Sequence, residues 1–267
     1  MKRLFRRLFR SILALIVLFL LFILFILHPQ ALYAGKRQYK NVTIYSATHY
    51  STAFNDVIDH ALTLIRQSEL YDSSFHFDVF INDGSSFPRV LKAILGDAFA
   101  WGYHHNVVLA GQNDDSLQFI KLNGHYRQLS RTVAHEMIHC LQANRFGIFG
   151  SRPVKNIPQW KWEGYPEYVS YLSTKHPEDS ILLQNLPLLD SLKNETHYPV
   201  EIETDEGKSF AGLDYFRWWL MIKYCVDIKG MHFTDIMEEE VQFNTIYDEM
   251  MNWYWNDQGA LSPPGGP

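Results

Sequence analysis

Residues Ile12 to Leu27 form an unbroken run of apolar side chains, mostly Leu, Ile and Phe, and no other feature constrains the chain more. Five cations, Lys2, Arg3, Arg6, Arg7 and Arg10, precede it with no acid among them, and no charge follows from Ser11 to Gly35. A helix needs about 20 apolar residues to cross hydrocarbon, with roughly 17 as the lower limit. The run sits near that limit, and Leu4, Phe5, Leu8 and Phe9 thicken its inner flank. A cationic leader argues against a buried core helix. The expectation is a transmembrane anchor over 11–28. The basic tail 1–10 is placed in the cytoplasm by the positive-inside rule. The chain then reads as a single-pass membrane protein with an extracytoplasmic body. The rival is a cleaved signal peptide with Ala34 as cleavage residue. Its apolar region is usually about 7–15 residues, and Leu32 and Tyr33 are not small, so length favours the anchor. Both readings export the body.

Export makes the charge of the remainder informative. The chain carries 24 Lys+Arg against 29 Asp+Glu. Setting aside the five leading cations leaves 19 against 29, a body of formal charge −10. An acidic body excludes a nucleic-acid partner, which requires a basic face. With 47% apolar and 20% charged residues the body is globular rather than disordered. Two cysteines, Cys140 and Cys225, exclude a disulfide-rich scaffold and a four-thiolate zinc site.

Residues 29–40 read as a linker, 41–256 as one domain and 257–267 as a disordered tail. Strands are expected at Val42–Tyr45, Phe75–Ile81 and Val107–Ala110. The turn Asn82-Asp83-Gly84 ends the second. Helices are expected at Ser51–Leu70, Pro88–Leu95, Gln128–Asn144, Pro166–Thr174, Phe216–Val226 and Thr234–Met251. Strands first and helices later point to an α+β fold.

His135-Glu136-Met137-Ile138-His139 carries the chemistry. On a helix, residues four apart share a face, so both imidazoles reach one ion. Neutral imidazole is a good zinc ligand, and Glu136 stands where it can take a proton from metal-activated water. Counting about 100° per residue from Leu129, the residues Val133, Ala134, Met137, Ile138, Cys140 and Leu141 fall between about 20° and 180°. Thr132, His135, Glu136, His139 and Gln142 fall between about 220° and 340°. The helix therefore has an apolar back and a separate ligand-bearing front, and Gly147 stops it. Chance would produce the pattern in about 3% of chains of this composition, and hydrogen-bonded core histidines are the other reading.

Catalytic zinc takes three protein ligands and keeps one position open. Downstream lies Trp160-Lys161-Trp162-Glu163-Gly164-Tyr165-Pro166-Glu167-Tyr168, with 23 residues between His139 and Glu163. That suffices for a loop, Asn144 to Gln159, which returns a second helix beneath the first. Pro166 is tolerated only in a first turn, so Glu163 begins that helix. Glu163 is the candidate third ligand. Glu167, one turn on, could hold a ligand imidazole from behind. Two solvated surface acids fit the spacing equally.

These two segments, His135-Glu136-x-x-His139 and Trp160-x-x-Glu163-Gly164-x-x-Glu167-Tyr168, resemble the gluzincin metallopeptidases, in particular the aminopeptidase-like "peptidase MA" group. Gln142 also resembles that group. Pro166 stands where the family has Ala. The resemblance spans roughly Val107 to Met237 and is specific in its first two motifs. It implies a zincin-like fold, a small twisted mixed sheet with an active-site helix followed by a helical subdomain. It implies Zn2+ held by His135, His139 and Glu163, with Glu136 as general base. Tyr215, in a segment of looser resemblance, is the candidate stabiliser of the oxyanion, with Tyr198 and His197 as the others. The family's signature for a free substrate amine is missing.

The expected function is hydrolysis of peptide bonds in a peptide or protein substrate by a membrane-anchored zinc metallopeptidase. The alternatives are a membrane-tethered binding or scaffold pseudoenzyme and a zinc amidase acting on a non-peptide amide. Val107–Ala110 is the expected edge strand for an extended substrate, and Pro177–Gly212 is expected to shape or cover the cleft. His104-His105 reads as a loop or strand entry rather than a metal site, Trp253-Tyr254-Trp255 as a packing cap and Glu238-Glu239-Glu240 as a solvated helix face.

Overall fold

A computed structural model of the protein describes residues 2–48, 51–114, 116, 118–172, 178–195, 199–204 and 207–261. The apolar run lies in α1 (Lys2–Leu27), whose stretch Phe5–Leu27 is long and apolar enough to cross a membrane. Its side chains from Phe5 to Leu24 are exposed. This is an apolar surface that a globular body cannot leave in water.

The stretch expected as a linker is structured instead. A 3-10 turn (Pro29–Leu32) leads into β1 (Gly35–Tyr39), which pairs antiparallel with β2 (Val42–Ser46) through a two-residue turn at Lys40-Asn41. A run of polar residues without alternation conceals β1: Lys36, Arg37 and Gln38 are all exposed on an edge strand, where cations discourage pairing with other chains.

After β2 come α2 (Phe54–Ile65), β3 (Phe77–Phe80), α3 (Phe87–Leu95), β4 (Ala100–Tyr103) and β5 (Asn106–Leu109). They complete a five-stranded sheet in the order β1-β2-β3-β5-β4, parallel at its centre and antiparallel at both edges. The parallel centre with its interleaved helices makes this half mixed α/β rather than strands followed by helices. Period-two side chains dress both faces. Ile44, Val79 and Val107 join the main core with α2, while Tyr45, Phe80 and Val108 join a smaller cluster with Phe87 and Leu91 of α3.

The sheet corrects one expectation. The strand at Val107–Leu109 is not an edge: it lies between β3 and β4, and β4 is the edge. Ala100-Trp101-Gly102-Tyr103 is short and contains Gly, so it shows no strand pattern in sequence. His104 and His105 form the turn between β4 and β5, with His104 at φ 54°.

Three short strands, β6 (Gln112–Asn113), β7 (Phe119–Leu122) and β8 (His125–Gln128), form an antiparallel meander that delivers the chain into α4 (Leu129–Gly150). All six residues assigned to the apolar back of α4 are buried against the sheet and α2. Gly147, at φ 67°, breaks the helix, as its sequence position predicts, although helix resumes to Gly150 within the expected loop. The second half comprises α5 (Gln159–Trp162), α6 (Gly164–Ser170), α7 (Glu178–Ser191), the hairpin β9 (Pro199–Thr204) and β10 (Gly207–Gly212), α8 (Leu213–Lys223), α9 (Phe233–Ile236) and α10 (Phe243–Leu261). A π-helical turn (Tyr224–Ile228) follows α8.

The single helix expected over 234–251 is thus two, and Glu238-Glu239-Glu240 lies exposed in the turn between them, not on a helix face. Helix α10 continues to Leu261, past the expected domain end at 256, and the tail from 262 lies outside the described residues. Tyr254 is buried and Trp253 packs on Tyr224, but Trp255 is exposed, so only part of that triplet is a packing cap. Cys140 and Cys225 are buried free thiols.

Candidate metal site

Helix α4 crosses the sheet so that the front read from its 3.6-residue period faces away from the core. His135, Glu136, His139 and Gln142 are nonetheless all buried, with α6 packed against α4 on this side. One residue permits the close approach on the other side. A Cβ added to Gly102 of β4 would sit 2.2 Å from the Glu136 carbonyl oxygen, so only glycine lets the edge strand lie on the helix here.

Glu163 stands at the junction of α5 and α6 with helical backbone angles (φ −89°, ψ −33°), and Pro166 falls in the first turn of α6, as the spacing predicts. This turns the Glu163 carboxylate onto the front of α4. Its Oε2 lies 3.5 Å from His135 Nε2 and 3.2 Å from His139 Nε2. The donor atoms of His135, His139 and Glu163 all lie within 4.8 Å of one another, and the three could hold a metal ion.

Both rings are oriented from behind. Gln142 Nε2 donates to the Trp162 carbonyl at 3.1 Å, which turns its Oε1 toward His139 Nδ1 at 2.8 Å. That oxygen can only accept, so His139 carries a proton on Nδ1, and Nε2 is the nitrogen turned to Glu163. Trp162 stacks on the same ring at 5.9 Å between centroids. For His135, Nδ1 lies 2.8 Å from Glu167 Oε2, close enough for an ion pair but at an angle poor for a hydrogen bond. Glu167 is completely buried and also accepts from Arg127 Nη2 at 2.9 and 3.1 Å. Arg127, on β8, escapes sequence analysis because its partner lies 40 positions away and no local pattern links them.

The electrostatics favour positive charge between the rings. Burial pulls the His135 imidazole down, but the carboxylates of Glu163, Glu167 and Glu136 push it up to about 9. Burial works to raise the Glu163 and Glu167 carboxyls. The neighbouring histidines for the first, and Arg127 with His135 for the second, more than offset this and hold both below the ordinary carboxylate range. Tyr215, on α8, has its ring 6.2 Å from that of His135. Burial and then the Glu163 and Glu167 charges push its phenol up, so it stays protonated and able to donate. His197 and Tyr198 lie outside the described residues.

His135, Glu136, His139, Glu163, Trp162, Arg127 and Tyr215 line a cleft of about 880 Å³, whereas Gln142 and Glu167 stand behind its wall. Its walls include the edge strand β4, and the hairpin contributes Pro199, Phe210, Ala211 and Gly212, so this part of the 177–212 segment does shape the cleft. A larger concavity of about 1170 Å³ lies beyond β3 and β5, near Asp83, Arg89 and Lys121. Among the described residues it holds no group of ligands suited to a metal ion, so size does not identify the site. No protein-family model, curated protein or solved structure matches this chain.

Proposed function

We propose that the protein is a membrane-anchored zinc metallopeptidase of the gluzincin type, with a zincin-like body on the extracytoplasmic side. The observation that carries this reading is the meeting of His135 Nε2, His139 Nε2 and Glu163 Oε2 in a cleft that also holds Glu136. The donor set fits zinc in kind, with two imidazole nitrogens and one carboxylate. The three donor atoms are also close enough for one ion to be held between them, with Glu163 Oε2 at 3.5 and 3.2 Å from the two imidazole nitrogens and all three within 4.8 Å of one another. Zinc held there supplies Lewis acidity toward water and toward a carbonyl oxygen.

The chain's own residues do the rest. Glu136 accepts the proton of the attacking water on its carboxylate and returns it to the leaving nitrogen. Tyr215 donates its phenolic hydrogen to the oxygen that becomes negative. Glu167 and Gln142 hold the two rings in orientation, and Trp162 covers His139 against water. The free edge of β4, rather than β5, is the strand along which an extended peptide pairs. The five leading cations support a cytoplasmic N-terminus.

The test is Glu136→Gln in the full chain, loaded with zinc and given a mixed peptide substrate. The variant is expected to keep its zinc and lose hydrolysis. Hydrolysis at the unsubstituted rate would refute the assignment.

A further inference from the structure

The end of the membrane helix is built into the cleft. Tyr103 Oη donates to the Ile26 carbonyl at 2.9 Å and Asn106 Nδ2 to the Leu27 carbonyl at 3.0 Å. These bonds satisfy carbonyls that a helix C-terminus otherwise leaves open. Phe25 packs edge-on against Phe87 of α3 at 5.7 Å. Ile26 itself lines the cleft that holds His135, Glu136, His139 and Glu163. Leu95, exposed at the end of α3, lines the same cleft, and its neighbour Ile94 is exposed beside it. Apolar side chains of α1 and α3 therefore reach the rim of the candidate active site.

The level of that rim follows from length. Phe5–Leu27 has 23 residues, or about 35 Å of helix against about 30 Å of hydrocarbon. Ile26 then stands at the outer edge of the hydrocarbon, and the cleft opens at headgroup depth. The body is not free to float away, because the 3-10 turn and β1 occupy the place of a linker.

We infer that the substrate is the juxtamembrane stretch of another membrane-anchored polypeptide. The inference rests on the metallopeptidase reading and on α1 staying in the bilayer. A cleft of this volume is about 10 Å across, or roughly three extended residues. Scission is therefore confined to the first few residues outside the hydrocarbon. Confinement of both partners to one surface also raises their effective concentration, worth about 100-fold in rate over a soluble peptide.

The test uses the zinc-loaded full chain in phosphatidylcholine vesicles. The probe is a single-pass polyleucine helix followed by a randomised twenty-residue segment, alongside the same randomised segment without the helix. Cut positions and rates are read by mass spectrometry. Cuts clustered within about eight residues of the hydrocarbon edge, about 100-fold faster than in the soluble set, support the inference. Equal cutting of both sets at scattered positions overturns it and leaves the peptidase reading intact. Cutting of neither set, by a chain that holds its zinc, overturns both. Release of lipid products from vesicles without the probe also overturns the inference, in favour of a lipid amphiphile.

Discussion

Glu167 is the residue whose removal has the most calculable consequence. Its side chain is completely buried between Arg127 Nη2, at 2.9 and 3.1 Å, and His135 Nδ1, at 2.8 Å. Arg127 Nε has no hydrogen-bond partner among the described residues, so Glu167 carries the task of compensating that guanidinium. Two unit charges about 3 Å apart attract by about 5 kcal/mol at an effective dielectric constant of about 20. Glu167→Ala leaves the arginine charged in a buried place, and losing one member of such a pair costs about 3–5 kcal/mol. That is a large share of the roughly 5–15 kcal/mol typical of a folded domain. Arg127→Met removes the stranded charge, so the double variant should recover part of the loss, with a coupling of about 2–3 kcal/mol. Zinc binding supplies an independent reading. Loss of the carboxylate behind His135 should weaken the metal by about 10–100-fold. Both quantities are measurable on the full chain in detergent, unfolding by guanidinium with tryptophan fluorescence and affinity by competition with a zinc chelator. Stability losses that add within about 0.5 kcal/mol, together with an unchanged zinc affinity, would show that the three groups do not act as one unit.

Three further outcomes follow from the same geometry. Zinc at about 1,000 times its dissociation constant should stabilise the chain by about 4 kcal/mol, which is about 8–16 °C in Tm for a body of this size. Chelation should remove that increment and zinc restore it, and a Tm indifferent to both would count against the site. Tyr215→Phe keeps the ring beside His135 and deletes only the donor, so kcat should fall about 100- to 1,000-fold with KM within a few-fold; an unchanged kcat would move the oxyanion role elsewhere. Gly102→Ala should destabilise by about 1–3 kcal/mol, because its Cβ meets backbone of α4 rather than a yielding side chain. Urea unfolding that shows no loss would mean that β4 does not lie as close to Glu136 as described.

The parts of this protein readable from its sequence are those in which cause and effect are neighbours along the chain. The spacing of His135 and His139 places both rings on one face because a helix turns about 100° per residue, and Val133, Met137 and Leu141 mark the opposite face in the same way. Pro166 shows where α6 must begin, and hence where Glu163 stands. The apolar run of α1 is legible because composition alone separates it from water-facing helices. None of these required knowledge of the other half of the chain.

What tertiary structure alone decided has a common cause: each such feature depends on partners distant in sequence. Whether β5 or β4 forms the sheet edge depends on strand order, and the run Ala100-Trp101-Gly102-Tyr103 becomes a strand only because β5 offers it a ladder. Lys36-Arg37-Gln38 looks like a solvated linker, since an edge strand exposes polar side chains just as a loop does. Arg127 acquires its role from Glu167 on another element. The seat of Ile26 in the cleft depends on Tyr103 and Asn106, about 80 positions further along. Local periodicity and steric exclusion act over a few residues and are written in the sequence. Burial of a charge, closure of a cleft and depth at a membrane surface arise only when distant segments meet in three dimensions.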